Sequence, residues 1–166
     1  VDADSTIHLA ILGVETRSGQ FLSEAARLGI AERIHLLPGV CPEAVSEALQ
    51  GADLAIIPQT DKCLNNAYCL PNKLFEAIHA GLPVVVSRLP EMSEMVTALG
   101  IGWTFQPGSA EDLTKVIQKA LSNPSELSKR AAAAFTARQS LTWEKDVVPY
   151  LSALGAPFDK TTSSTS

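Results

Sequence analysis

A chain of 166 residues, 46% hydrophobic and 19% charged, has the makings of one good core and too little length for two domains of ordinary size. A formal charge of −5, with 13 scattered lysines and arginines, argues against a surface for DNA or RNA. No apolar run is long enough to cross a bilayer, and the start Val1-Asp2-Ala3-Asp4 has no signal-peptide pattern. Three cysteines, Cys41, Cys63 and Cys69, form no disulfide framework, so a reducing, cytoplasmic setting is expected.

Residues 7–12 form a strand-like run closed by Gly13. Phe21, Leu22, Ala25, Ala26 and Leu28 then recur at helical spacing up to Gly29. A second short strand is predicted over residues 33–37, before Pro38-Gly39. Pro42 opens a helix with Ala44, Val45, Ala48 and Leu49 as its apolar positions, and Gly51 ends it. Residues 54–57 read as a buried strand and residues 58–70 as a polar loop. Next come a helix with Pro71 at its first position, a strand over residues 83–86, and a helix opening at Pro90-Glu91. Residues 102–105 form a candidate edge strand. Helices are predicted over residues 110–121 and 127–137, with Asn123-Pro124 between them. A last helix over residues 143–154 bends or restarts near Pro149, and residues 157–166 form a polar tail.

Short apolar strands alternating with helices predict an α/β fold, a parallel sheet covered on both faces by right-handed connections. Ligands of such sheets bind beyond the carboxyl ends of the strands. That puts residues 13–17, 37–41, 58–70 and 87–94 on one rim. Just after the third of these loops, Asn72, Lys73 and Glu76 share one face of the helix after Pro71, away from the stripe of Leu74, Phe75 and Ile78. Glu76 has two readings: acceptor for sugar or ribose hydroxyls, or partner of Lys73 in a surface ion pair. The free amides from Leu70 to Lys73 suit an anion. Arg17 is a phosphate contact or a solvated side chain, and Gly13 a site of close ligand approach or a plain turn. Glu91 and Glu94 either line the site or serve a helix start.

Several chemistries find no support. Gly13-Val14-Glu15-Thr16-Arg17-Ser18-Gly19 is not a dinucleotide fingerprint, and neither a Walker loop nor a G-x-S-x-G elbow occurs. His8, His35 and His79 match no zinc spacing with the cysteines, so no metal site is expected. His35, inside a strand, reads as a structural imidazole. No carboxylate pair marks a glycosidase.

A family resemblance emerges from the longer pattern. Pro71-Asn72-Lys73-Leu74-Phe75-Glu76, Ala80-Gly81-Leu82-Pro83-Val84-Val85 and Pro90-Glu91-Met92-Ser93-Glu94 resemble the carboxy-terminal domain of retaining glycosyltransferases of the GT-B fold, the family numbered four. Leu9-Ala10-Ile11-Leu12-Gly13, the segment 28–39 and Ala52-Asp53-Leu54-Ala55-Ile56-Ile57-Pro58 are similar in order and spacing. Gly100-Ile101-Gly102-Trp103 and the segment 108–113 extend the likeness, which runs from residue 7 to about residue 152.

The resemblance implies a Rossmann-like, doubly wound domain over residues 1–156 that holds a nucleotide sugar, a UDP-, GDP- or ADP-sugar, with no other cofactor. Glu76 matches the second acid of the family's E-x7-E element, at the donor ribose. Gly39 and Val40 would lie by the base, the amides from Leu70 to Lys73 near the pyrophosphate, and Glu94 matches a glutamate common after the following strand. Tyr68 stands where the first acid is expected, which leaves a catalytically inactive interaction or regulatory module as the alternative. The family's first strand and its amino-terminal domain are not evident, so a longer chain or another polypeptide is expected to complete the fold. Peripheral membrane association of the full-length protein is compatible with this reading.

Overall fold

The computed structural model describes residues 6–13 and 18–155, and of Ser18, Glu144 and Asp146 the backbone only. Arg17 and the tail over residues 157–166 lie outside the described residues. The chain divides into two compact units, one up to Ala48 and one from Leu49.

In the first unit, strand β1 (Leu9–Leu12) pairs in parallel with β2 (Ile34–Leu37), Leu9 opposite Ile34 and Leu12 opposite Leu37. Helix α1 (Ser18–Arg27) makes the crossover. Gly29 ends it at φ +68°, a left-handed conformation that glycine adopts without a Cβ penalty, and Ile30 N–H donates back to the Ala25 carbonyl at 2.9 Å. His35 has its partner in His8, Nε2 to Nδ1 at 2.8 Å. The ring centroids are 5.1 Å apart with planes 16° from parallel. That spacing fits rings set edge to edge through the hydrogen bond better than rings stacked face to face. Helix α2 (Val45–Leu49) closes this part of the chain.

The second unit is built on three parallel strands in the order β3 (Ala55–Ile57), β4 (Val84–Ser87), β5 (Gly102–Phe105). The register sets Ala55 against Val84 and Val84 against Gly102. All four residues of β4 are fully enclosed. Successive strand residues face opposite sides, so both faces of the sheet are covered. Helices α4 (Asn72–His79), α5 (Pro90–Leu99) and α7 (Pro124–Ala137) supply one core: Leu74, Ile78, Met92, Val96, Ala134 and Ala137 close on Ile57, Val84, Val86 and Ile101. Helix α6 (Ala110–Leu121) packs on β5. Helix α8 (Trp143–Ala153) continues through Pro149 and does not restart there. Among the described residues no helix is long and apolar enough to cross a membrane.

The parallel α/β architecture and the edge position of β5 follow the sequence expectation. β1 and β2 form a two-stranded sheet in the first unit, and β3, β4 and β5 a three-stranded sheet in the second. Hydropathy locates strands, but which strands become neighbours depends on how crossovers pack, and that is not local information.

A side-chain cap closes the start of α6. Ser109 Oγ accepts from Asp112 N–H at 3.1 Å at the start of α6, and the Asp112 carboxylate accepts from Gln106 N–H at 2.6 Å. Ser109→Ala should lower stability by about 1 kcal/mol, the usual worth of such a cap, read as a shift in urea midpoint. An unchanged midpoint would show that Asp112 alone holds this helix start.

Candidate functional site

In the second unit the carboxyl ends of β3, β4 and β5 form one rim, and the helices that follow the strands begin there. After β3 the chain makes a short helix, α3 (Leu64–Tyr68), which nothing in the polar segment 58–70 predicts. Tyr68 is exposed on it, and Leu70 turns inward, half-buried against the core.

Pro71 corrects the sequence reading. It is the residue before the helix and not the first helical one, with φ −74° and ψ 147°, and its carbonyl accepts from Leu74 N–H at 2.9 Å. Its extended ψ makes Asn72 the first helical residue, so the amides of Asn72 and Lys73 are the ones with no carbonyl one turn earlier to bond. They open toward the rim at the positive end of the α4 dipole.

Burial of Leu74, Ala77 and Ile78 fixes the rotation of α4. Asn72 and Lys73 are left exposed and Glu76 half-buried, about 6 Å along the axis from Asn72. Lys73 enters none of the ion pairs found among the described residues. The helix ends at Gly81 (φ +75°), where Gly81 N–H donates to Ile78 and Leu82 N–H to Ala77. His79 is structural: its Nε2 lies 2.8 Å from the Leu141 carbonyl.

Helix α5 starts as its Pro90-Glu91 predicts, with Pro90 in the first turn. Met92 and Val96 anchor it, and Glu91 and Glu94 face solvent. Arg88, just past β4, is a rim cation that sequence reasoning missed; a single basic residue after a buried strand carries no pattern. It leans away from α4, its Nε 3.4 Å from Thr104 Oγ1 and its Nη2 3.9 Å from the Asp112 carboxylate.

In the first unit, Gly13 has φ +80° and donates to the Leu37 carbonyl at 3.1 Å. A Cβ at Gly39 would lie 3.7 Å from the Gly13 Cα, so these two turns meet backbone to backbone, and Val40 beside them is exposed. The structure thus gathers Leu70, Asn72, Lys73 and Glu76 at one helix start, sets Glu94 on the next helix, and brings Gly13 to Gly39.

A groove of about 340 Å³ lined by Asp53, Gly81, Leu82, Pro83, Pro124 and Leu127 lies at the opposite, amino end of β3 and β4. Its walls offer one exposed carboxylate, the exposed Gln50 and Ser128, and otherwise apolar or backbone groups. The rim is favoured because strand polarity and open helix amides converge there.

Comparison with known proteins bears on this geometry. The family model of glycosyl transferases group 1 matches residues 2–138. A D-inositol 3-phosphate glycosyltransferase of Rhodococcus jostii is 24% identical over 148 residues, which cover 86% of this chain and 31% of that protein. An MMP alpha-(1->4)-mannosyltransferase of Mycolicibacterium hassiacum is 32% identical over 103 residues, 61% of this chain and 24% of the relative. The chain therefore spans a third or less of the length of these curated relatives. Among solved structures, WaaG, a glycosyltransferase involved in lipopolysaccharide biosynthesis, superposes with a TM-score of 0.63 at 28% identity, over 88% of this chain and 37% of WaaG. Anabaena HepE in complex with UDP gives a TM-score of 0.72 at 17% identity, over 89% of this chain and 41% of HepE, a likeness of fold.

Proposed function

The chain belongs to the glycosyl transferases group 1, and from that premise we propose that it forms the donor-binding part of a sugar transferase using a nucleoside diphosphate sugar. The observation that carries this reading is Glu76, half-buried one turn from the open amides of Asn72 and Lys73 at the carboxyl rim of a parallel sheet. The HepE structure, alike in fold, holds UDP, which supports a nucleoside diphosphate as the ligand class.

Ribose hydroxyls would donate to the Glu76 carboxylate. Pyrophosphate oxygens would accept from the Asn72 and Lys73 amides and from Lys73 Nζ, with Leu70 shaping the approach and Glu94 a further contact. As the bond from sugar to phosphate breaks, these donors stabilise the charge that grows on the leaving diphosphate. In this proposal they do so without a metal, and the sugar passes to an acceptor hydroxyl with retained configuration.

Calorimetry of the intact protein with UDP, GDP and ADP tests the reading. One nucleotide should bind, and Glu76→Gln should weaken it about 10- to 100-fold, the worth of one or two charge-assisted hydrogen bonds. Silence with all three nucleotides would sink the reading, and undiminished affinity in the variant would remove Glu76 from the site.

A second reading, a binding module without turnover, draws on Tyr68, exposed where the family resemblance has an acid. Nucleotide binding without donor turnover would favour it.

A further inference from the structure

The segment that runs from β3 into α4 raises a physical question. Helix α3 spans five residues, too few to persist by propensity alone, and none of its residues is fully buried. It packs beside α5, and it is also held by a side chain from the strand end. Gln59 Nε2 donates to the Asn66 carbonyl at 2.7 Å and lies 3.0 Å from Cys69 Sγ. One amide nitrogen carries two hydrogens, enough for both acceptors. Asn66 belongs to the end of α3, where carbonyls lack partners within the helix. Cys69 lies two residues before Pro71, and its own N–H returns to the Asn65 carbonyl at 2.9 Å. Gln59 itself is fixed by a tight turn, its N–H donating to Ile57 at 3.1 Å.

We infer that Gln59 is a positioning residue for the diphosphate. Reaching from the end of β3, it fastens both the end of α3 and the run into α4, and so sets where the Asn72 and Lys73 amides point. The inference rests on the donor-binding reading and assigns to it a residue that touches no ligand.

Gln59→Met keeps the side-chain length and removes both donors. Three measurements on the intact protein separate the outcomes: amide hydrogen exchange over residues 64–70, urea midpoint, and calorimetry with UDP, GDP and ADP beside their nucleosides. Exchange should accelerate in that segment alone, with the urea midpoint nearly unchanged. Affinity for the nucleoside diphosphate should fall about tenfold, and affinity for the nucleoside should hold. Cys69→Ala, which removes the sulfur arm alone, should give the same pattern in weaker form and serves if Gln59→Met folds poorly. Unchanged diphosphate affinity, or equal loss for diphosphate and nucleoside, would overturn the positioning role. Failure of the wild-type protein to bind any nucleotide would show instead that the donor-binding reading is at fault, and the positioning role would fall with it.

Discussion

Gly102→Ala is expected to cost about 4 kcal/mol of stability, enough to remove most of the margin of an ordinary domain. A Cβ at Gly102 would stand 2.1 Å from the Val84 carbonyl oxygen, 2.6 Å from Val84 Cγ2 and 2.9 Å from the Val84 carbonyl carbon. No rotamer change relieves an overlap with backbone, and Val84 has nowhere to retreat, being enclosed in the central strand. β5 is also pinned from its far side. Arg130 Nη1 donates to the Gly102 carbonyl at 2.6 Å, and its guanidinium stands 4.4 Å from the centre of the Trp103 ring. Relief therefore requires the pairing of β4 with β5 to open at Gly102. Urea denaturation followed by circular dichroism measures the loss, and a midpoint like that of the wild type would mean that β5 does not lie against Val84 at this distance.

Leu74→Ala is expected to cost about 3 kcal/mol, from lost burial and from the cavity left behind. Leu74 is fully enclosed on α4 and belongs to the cluster with Ile57, Val84, Val86 and Met92. It is also the first buried side chain of that helix, so its loss loosens the turn that carries the open amides. Lys73→Ala, one residue away and exposed, should change stability by less than about 0.5 kcal/mol. Equal effects in the two variants would show that α4 is rotated differently about its axis.

Particular residues explain what the sequence could and could not tell. Val84-Val85-Val86 reads as a strand buried on both faces because no polar residue interrupts it. Leu74 and Ile78 of the expected stripe are buried, while Ala77 takes the place expected of Phe75, which is half-buried, and Gly81 stops the helix for a reason visible in its residue type. Asn123-Pro124 reads in the sequence only as a break before a helix at residue 127, whereas α7 starts at Pro124 with Asn123 Oδ1 accepting from Glu126 N–H at 3.1 Å. α3 was illegible because Leu-Asn-Asn-Ala-Tyr has no apolar period, and the bonds that hold it come from Gln59. The difference at Pro71 is a single residue, but proline suits both positions and only its own ψ decides between them. The placing of Glu76 beside open amides was readable from spacing, because one helix carries all the parts. Arg88 and Gln59 were not, because each acts through partners far along the chain or through a bond to backbone.

β4 has a consequence away from the ligand rim. Val84–Ser87 follows Leu82 and Pro83, so nearly the whole stretch is β-prone, uncharged and shielded only while its neighbours stay in place. Uncovered, such a stretch is a template for joining chains edge to edge. Pro83 before it offers no N–H, and Arg88 after it carries a charge that resists stacking of identical strands. The same strand that centres the sheet is thus the self-association hazard of the unfolded chain, bracketed by two gatekeepers, one of them the cation at the rim.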